Sequence, residues 1–264
     1  MKEIKAQELK ELQMQILDYV DAFCARVGIR YTISGGTLLG AVRHGGFIPW
    51  DDDVDIQMVR AEYLRFCELW KAQEGGHPYE FISIESGKNM GYPFGKICIP
   101  GTIALVGGVE RTGVYIDVFP VDKVLDEKDF HSRHDRILRL YKFQMLHFAW
   151  QKSRHTHVPF PRRLVLMAGR FISREKIAVK INELAQKRQG QPCPFYFEMV
   201  AGTICKNPIP ASVFENYVRI PFEDRKYQAV AEYDTYLTAT FGDYMQLPPV
   251  EKRVGHRENV YYWK

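Results

Sequence analysis

The feature that most constrains this chain is the stretch SGGTLLGAVRHGGFIPWDDDVDI, Ser34 to Ile56, where a double glycine precedes an alternation of acidic and apolar residues. Val54, Ile56 and Met58 alternate with Asp53, Asp55 and Gln57. That period of two predicts a strand with one face in a core. Residues two apart share a face, so Asp53 and Asp55 should stand side by side while Val54 and Ile56 turn inward. Such a strand is suited to a divalent metal.

The flanking pattern is mixed. Leu12, Ile16, Val20, Phe23 and Val27 follow helical spacing from Leu9 and stop at Gly28. Ile29 to Ser34 is β-favouring and ends at Gly35-Gly36, and Thr37 to His44 has the length of a two-turn helix. A helix is expected from about Arg60 to Gln73, with strands at Phe81–Glu85, Phe94–Ile99 and Val114–Val118. Beyond about residue 125 helical periodicity dominates: from Asp126 through Phe148, from about Arg163 to Arg188, and from Ala229 to Phe241, with HTHVPFP as a loop between the first two. The expected fold class is α+β, with a mixed central sheet flanked by helices. Residues 1–125 form its core, and residues 126–264 form a mostly helical extension on the acceptor side of one catalytic unit.

Composition sets the remaining bounds. With 264 residues, 46% hydrophobic, the chain can bury one sizeable core. The net charge of +4 is scattered apart from Arg162-Arg163, which argues against nucleic acid and fits a small anionic substrate. The five cysteines are spread out and form no CxxC pair, as expected for reduced thiols in the cytoplasm. Neither a signal-peptide h-region after Met1 nor an apolar run long enough to span a bilayer is visible. Pro161 to Met167 starts a basic helix with an apolar face, readable as a core helix or as a peripheral contact with an anionic membrane surface.

The second acid-bearing strand, Tyr115-Ile116-Asp117-Val118-Phe119, has the parity of the first, with Asp117 opposite Val114, Ile116 and Val118. Three converging carboxylates repel one another unless hard cations neutralise them, so the pattern asks for metal, with Mg²⁺ the usual choice beside phosphate. Two ions could clamp an in-line phosphoryl displacement. Gly35, Gly36 and Thr37 lie at a strand-to-helix junction, where backbone N–H groups favour an anion.

A solvated turn is the plain explanation of an isolated DDD run, but the flanking alternation and the glycine pair oppose it. A calcium loop would place Asp51, Asp53, Asp55 and Glu62 correctly but requires Gly where Ile56 stands. A Walker A loop fails at Ala41-Val42. Arg43 and His44 suit either substrate contact or a favourable position at a helix C-terminus, and Lys96 either phosphate contact or solvent. His155 and His157 lack clustered partners. Tyr92, Trp150, Tyr196, Tyr261, Tyr262 and Trp263 could cage a quaternary ammonium or simply pack.

The segment GGTLLGAVRHGGFIPWDDDVDI resembles the hallmark of the LicD family, and VYIDVFPVD resembles its second motif. The likeness runs from about Ile16 to Asp122 and returns in YDTYLTATFGDYMQLPP with Arg253 and His256; residues 126–220 carry no motif of the family. The resemblance implies a nucleotidyltransferase-like fold and transfer of phosphocholine from CDP-choline to a sugar hydroxyl of a cell-surface glycan or lipid-linked precursor, releasing CMP. The related fukutin-type proteins transfer ribitol phosphate. On this basis Asp53, Asp55 and Asp117 would hold Mg²⁺, or Mn²⁺ in its place, as two ions, with Asp117 also taking the acceptor's proton. Gly35, Gly36, Thr37, Arg43, His44 and Lys96 would bind phosphate or nucleotide, and Asp51, Asp52, Arg253 and His256 would support the site. The reaction would take place in the cytoplasm or at the inner membrane face. A nucleotidyltransferase acting on a small hydroxylated molecule is the nearest rival. A non-catalytic relic of the fold has no reason to retain three mutually repelling carboxylates.

Overall fold

The computed structural model describes residues 1–264 except 74, 107–109, 154–158, 202–206, 254 and 256–258, together with the side chains of 106, 110, 111 and 162–165. In chain order the first half holds β1 (Lys2–Glu3), α1 (Ala6–Val27), β2 (Thr32–Ile33), α2 (Gly35–His44), β3 (Asp55–Val59), α3 (Arg60–Ala72), β4 (Glu80–Ile82), β5 (Gly95–Cys98), β6 (Thr102–Val106), β7 (Glu110–Thr112) and β8 (Tyr115–Val124). The second half adds α4 (Glu127–Ser153), α5 (Phe160–Met167), α6 (Arg174–Ala185), β9 (Phe195–Phe197), β10 (Ile209–Pro210), β11 (Tyr217–Phe222), β12 (Arg225–Val230), α7 (Tyr233–Phe241) and β13 (Val260–Trp263). Mixed sheet and surrounding helices match the α+β expectation.

The central sheet runs β10-β9-β8-β3-β2, with β5 joining β8 and β4 joining β5. β3 lies parallel to β8 on one edge, pairing Asp55 with Asp117 and Gln57 with Phe119. On its other edge β8 pairs antiparallel with β5 through Tyr115–Val118 and with β9 through Asp122–Val124. Ile33, Ile56, Met58, Ile97, Ile116 and Val118 therefore share a face, where they pack against Ile16, Leu17, Val20 and Phe23 of α1 and Tyr63, Phe66 and Trp70 of α3. The opposite face carries Asp55, Gln57, Lys96 and Asp117. A second sheet, β1-β13-β6-β7, and the β11–β12 hairpin complete the described strands.

α1 follows its apolar spacing and ends at Gly28, whose φ of 66° is the left-handed region that glycine occupies without strain. The strand expected over Ile29–Ser34 shortens to two residues because its N–H groups go elsewhere: Ile29 donates to Cys24 O, and Tyr31 to Gln228 Oε1 at 2.7 Å. The single helix expected over Arg163–Arg188 is broken. Gly169 lies so close to α4 that a Cβ there would sit 2.6 Å from Leu146 O, and α6 starts afresh behind Ser173, whose Oγ accepts from Lys176 N. The helix expected from Ala229 begins only at Tyr233, since Ala229 and Val230 pair with Val218 and Tyr217 in the hairpin. The second half is thus less helical than its periodicity suggests, and β9 and β13 tie it into both larger sheets.

Candidate active site

The centre of the site is set by strand register. Asp55 and Asp117 are paired positions on the parallel strands β3 and β8, with Asp117 N donating to Val54 O at 2.9 Å. The approach to β3 is fixed from behind by buried Gln13 of α1, whose Nε2 donates to Asp52 O at 3.0 Å. Asp53 lies one position before the strand's inward residue Val54, so its charge is felt at Asp55. Burial first, then Asp53, Asp117, Glu198 and Asp51, push the Asp55 carboxyl well above the usual carboxylate range.

The double glycine makes room for these acids. Gly35 takes φ 52°, and a Cβ there would lie 3.1 Å from Asp55 Oδ2; a Cβ on Gly36 would lie 2.2 Å from Asp51 Oδ2. The side chain of Ser34 does not cap α2, and its Oγ is buried without a hydrogen bond, so a free hydroxyl stands where the helix begins. Thr37 does not face outward as a phosphate ligand. It is buried, and its Oγ1 accepts from Asp55 N at 2.9 Å, locking the acid strand to α2.

Lys96 is buried and ion-paired, not solvated. Its Nζ is 2.6 Å from Asp117 Oδ1, with the ring centroids of Tyr115, Tyr92 and Phe94 at 3.6, 4.7 and 5.4 Å. Burial works against the Lys96 charge, but Asp117 and Tyr92 outweigh it and raise its pKa. Among the described residues, no three His, Cys, Asp or Glu side chains form a metal-ligating group. Asp117 is paired with Lys96, and Asp51 Oδ2 lies over Gly36. Even so, the donor set is all oxygen, and its crowding of like charge is what a hard divalent cation relieves.

Arg43 and Arg253 form a second feature. Arg43 Nη1 donates to Tyr244 O at 2.6 Å, and Arg253 Nε to Pro248 O at 2.8 Å, while the Arg253 guanidinium lies 5.5 Å from the Trp50 ring centroid. Burial and the neighbouring Arg253 charge lower the Arg43 pKa, and burial and Arg43 lower that of His44. Gly255 packs against Trp50 O, bringing this strand of chain alongside Asp52. His256 lies outside the described residues, as do His155 and His157 and the side chains of Arg162 and Arg163 on which a membrane contact would depend.

A cavity of about 370 Å³ opens beside Asp55 and runs along β3 and β8. Ser34, Gly35, Gly36 and Asp55 line it together with Gln57, Phe119, Phe197, Glu198, Tyr236 and Phe241. Glu198 Oε2 accepts from Gln57 Nε2 at 2.6 Å, Gln57 Oε1 accepts from Tyr236 OH at 2.9 Å, and Gly35 N donates to the same hydroxyl at 3.5 Å. Burial is the main reason the Glu198 carboxyl rises to about 8. The sequence reading missed Glu198 and Tyr236. The one available signal was a short β-favouring run, FYFEMV, carrying an acid inside an otherwise helical region. The aromatic residues named from sequence do not assemble here. Tyr92 lies over Lys96, Tyr196 packs on Phe214, Tyr261 is buried in another cluster, and Trp263 Nε1 bonds Glu8.

The family model described as LicD/FKTN/FKRP, nucleotidyltransferase domain, matches residues 28–163. The lipopolysaccharide cholinephosphotransferase LicD of Haemophilus influenzae is 29% identical over 97% of this chain and 97% of its own. The human ribitol 5-phosphate transferase FKRP is 45% identical over 102 residues, 39% of this chain and 19% of that protein. The matched region contains α2, both acid-bearing strands and Lys96, and the chain belongs to the LicD/FKTN/FKRP nucleotidyltransferase-domain family as an enzyme of phosphotransferase type.

Proposed function

We propose that this protein transfers phosphocholine from CDP-choline to a sugar hydroxyl of a cell-surface glycan or its lipid-linked precursor. The observation that carries the reading is the paired Asp55 and Asp117, set beside the glycine turn and the uncapped start of α2. The end-to-end similarity to a cholinephosphotransferase supports choline over ribitol.

Asp53, Asp55 and Asp117 would hold Mg²⁺, with Mn²⁺ as a substitute and two ions as the expected number. When bound, the metal offsets charge on the donor's diphosphate. The protein's own residues do the rest. Ser34, Gly35 and Gly36 receive phosphate oxygens at the start of α2. Arg43 and Arg253 offer positive charge to the CMP portion and His44 a neutral ring beside them, with Arg43 held by Tyr244 O and the His44 ring and Arg253 by Pro248 O. Asp117, paired with Lys96, accepts the proton of the acceptor hydroxyl. The acceptor oxygen forms a bond to the choline-bearing phosphorus as the bond from that phosphorus to the bridging oxygen breaks, and CMP leaves with the bridging oxygen.

Among the described residues no helix is long and apolar enough to cross a membrane. We place the reaction at the cytoplasmic face, where a CDP-linked donor and a lipid-linked acceptor meet. The test is incubation with CDP-choline, an acceptor glycan and Mg²⁺. Metal-dependent release of CMP with phosphocholine on the glycan supports the reading. Inertness toward CDP-choline, with turnover of a nucleoside triphosphate onto a small alcohol, overturns it in favour of nucleotidyl transfer.

A further inference from the structure

Resting on the phosphocholine reading, we propose that the cavity along β3 and β8 selects the donor's head group. Phe119, Phe197, Tyr236 and Phe241 form its walls for a quaternary ammonium, and Glu198 is its counter-charge.

A trimethylammonium has no N–H, so it cannot be recognised by hydrogen bonds. It is held by aromatic surface and by negative charge that needs no hydrogen-bond geometry. The cavity has this character. Aromatic rings line it, it contains the carboxyls of Glu198 and Asp55, and among the described residues no Lys or Arg lines it. A cavity built for a phosphate or a nucleotide would show the reverse balance. A polyol such as ribitol would need polar partners along walls that are here largely apolar.

Glu198 supplies the second, independent observation. Its Oε2 is occupied by Gln57, the Ala201 N–H lies near the carboxyl, and Oε1 is buried without a well-formed hydrogen bond. A buried carboxylate oxygen left this way is unfavourable, and an organic cation beside it restores the balance without donating a hydrogen bond. Burial raises the Glu198 pKa to about 8 in the protein alone, and a resident cation would draw it back down. Ser34 and the glycine turn, the phosphate-accepting groups, are separated from Glu198 by the Tyr236 hydroxyl and Gln57. The substrate's two charges are likewise separated by a short ethylene bridge.

The experiment has two arms on the full chain. The first compares binding of free choline with its uncharged isostere 3,3-dimethylbutan-1-ol by titration calorimetry. Choline should bind at least about tenfold more tightly, the scale of a desolvated cation–π contact, and Glu198→Gln should remove the difference. The second compares kcat/KM for CDP-choline and CDP-ethanolamine in the wild type, in the near-isosteric Glu198→Gln and in Phe241→Ala. Phe241 is 45% exposed, so its loss leaves the core intact. Both variants should lower the preference for CDP-choline about tenfold through KM. Equal binding of choline and its isostere, or an unchanged preference in both variants while CMP is still released, overturns the inference and spares the proposed function. Glu198-dependent choline binding without turnover of CDP-choline would instead overturn the function and leave the pocket standing.

Discussion

Lys96 Nζ stands 2.6 Å from Asp117 Oδ1 in a buried aromatic setting, so the protein itself supplies the counter-charge of the third acid. Removing one member of a buried ion pair strands the other. Lys96→Met should lower unfolding free energy by about 3–5 kcal/mol, measured by urea denaturation, and should suppress transfer. A variant as stable as the wild type would show that Asp117 does not depend on Lys96.

A pH effect follows from Glu198. Its carboxyl rises from 4.5 to about 8 on folding, mainly through burial, so between those values the folded state holds a proton that the unfolded chain has lost. This contribution to stability is fully present below about 4.5 and disappears as pH rises through about 8. Metal-free protein should therefore melt at progressively lower temperature across that window, and Glu198→Gln should flatten the decline. An identical slope in the variant would assign the effect to other groups.

Asp53→Asn and Asp55→Asn should abolish CMP release while leaving the fold intact. At Asp55 the substitution also removes a charge opposed by burial and by Asp53 and Asp117. In chelator, Asp55→Asn should melt no lower than the wild type. Full activity in either variant would remove these residues from the reaction.

Gly36 and Asp51 should be energetically coupled, because a Cβ on Gly36 would lie 2.2 Å from Asp51 Oδ2. Gly36→Ala forces that carboxyl away from α2 and should reduce transfer at least about tenfold, the rate equivalent of roughly 1.4 kcal/mol. Added to Asp51→Ala, it should cost little more than Asp51→Ala alone. Strictly additive losses in the double variant would mean that the two residues do not meet.

The acids of the centre were legible because their strands alternate with period two and because parity alone puts Asp55 and Asp117 on one face. Their partners were not. Lys96 and Thr37 read as phosphate ligands, since nothing local reveals that a lysine meets an acid on the neighbouring strand or that a hydroxyl is taken by Asp55 N. Glu198 escaped notice because β9 is only three residues long and gains its place by pairing with β8, far away in sequence. The β11–β12 hairpin was hidden for a related reason: its turn uses Glu223 at φ 54°, where a glycine would have announced it.

β8 carries two acids with opposite employment. Asp117 belongs to the active face, whereas Asp122, five positions on, is buried with Arg60, which reaches its two oxygens at 2.8 and 2.7 Å. This odd spacing makes the strand intolerant of changes in length. One residue inserted or deleted between them would rotate one acid onto the wrong side, either facing the reaction with the wrong carboxylate or leaving Arg60 without its partner. Genuine relatives should therefore vary in the loops that frame β8 and keep the interval from Asp117 to Asp122 fixed.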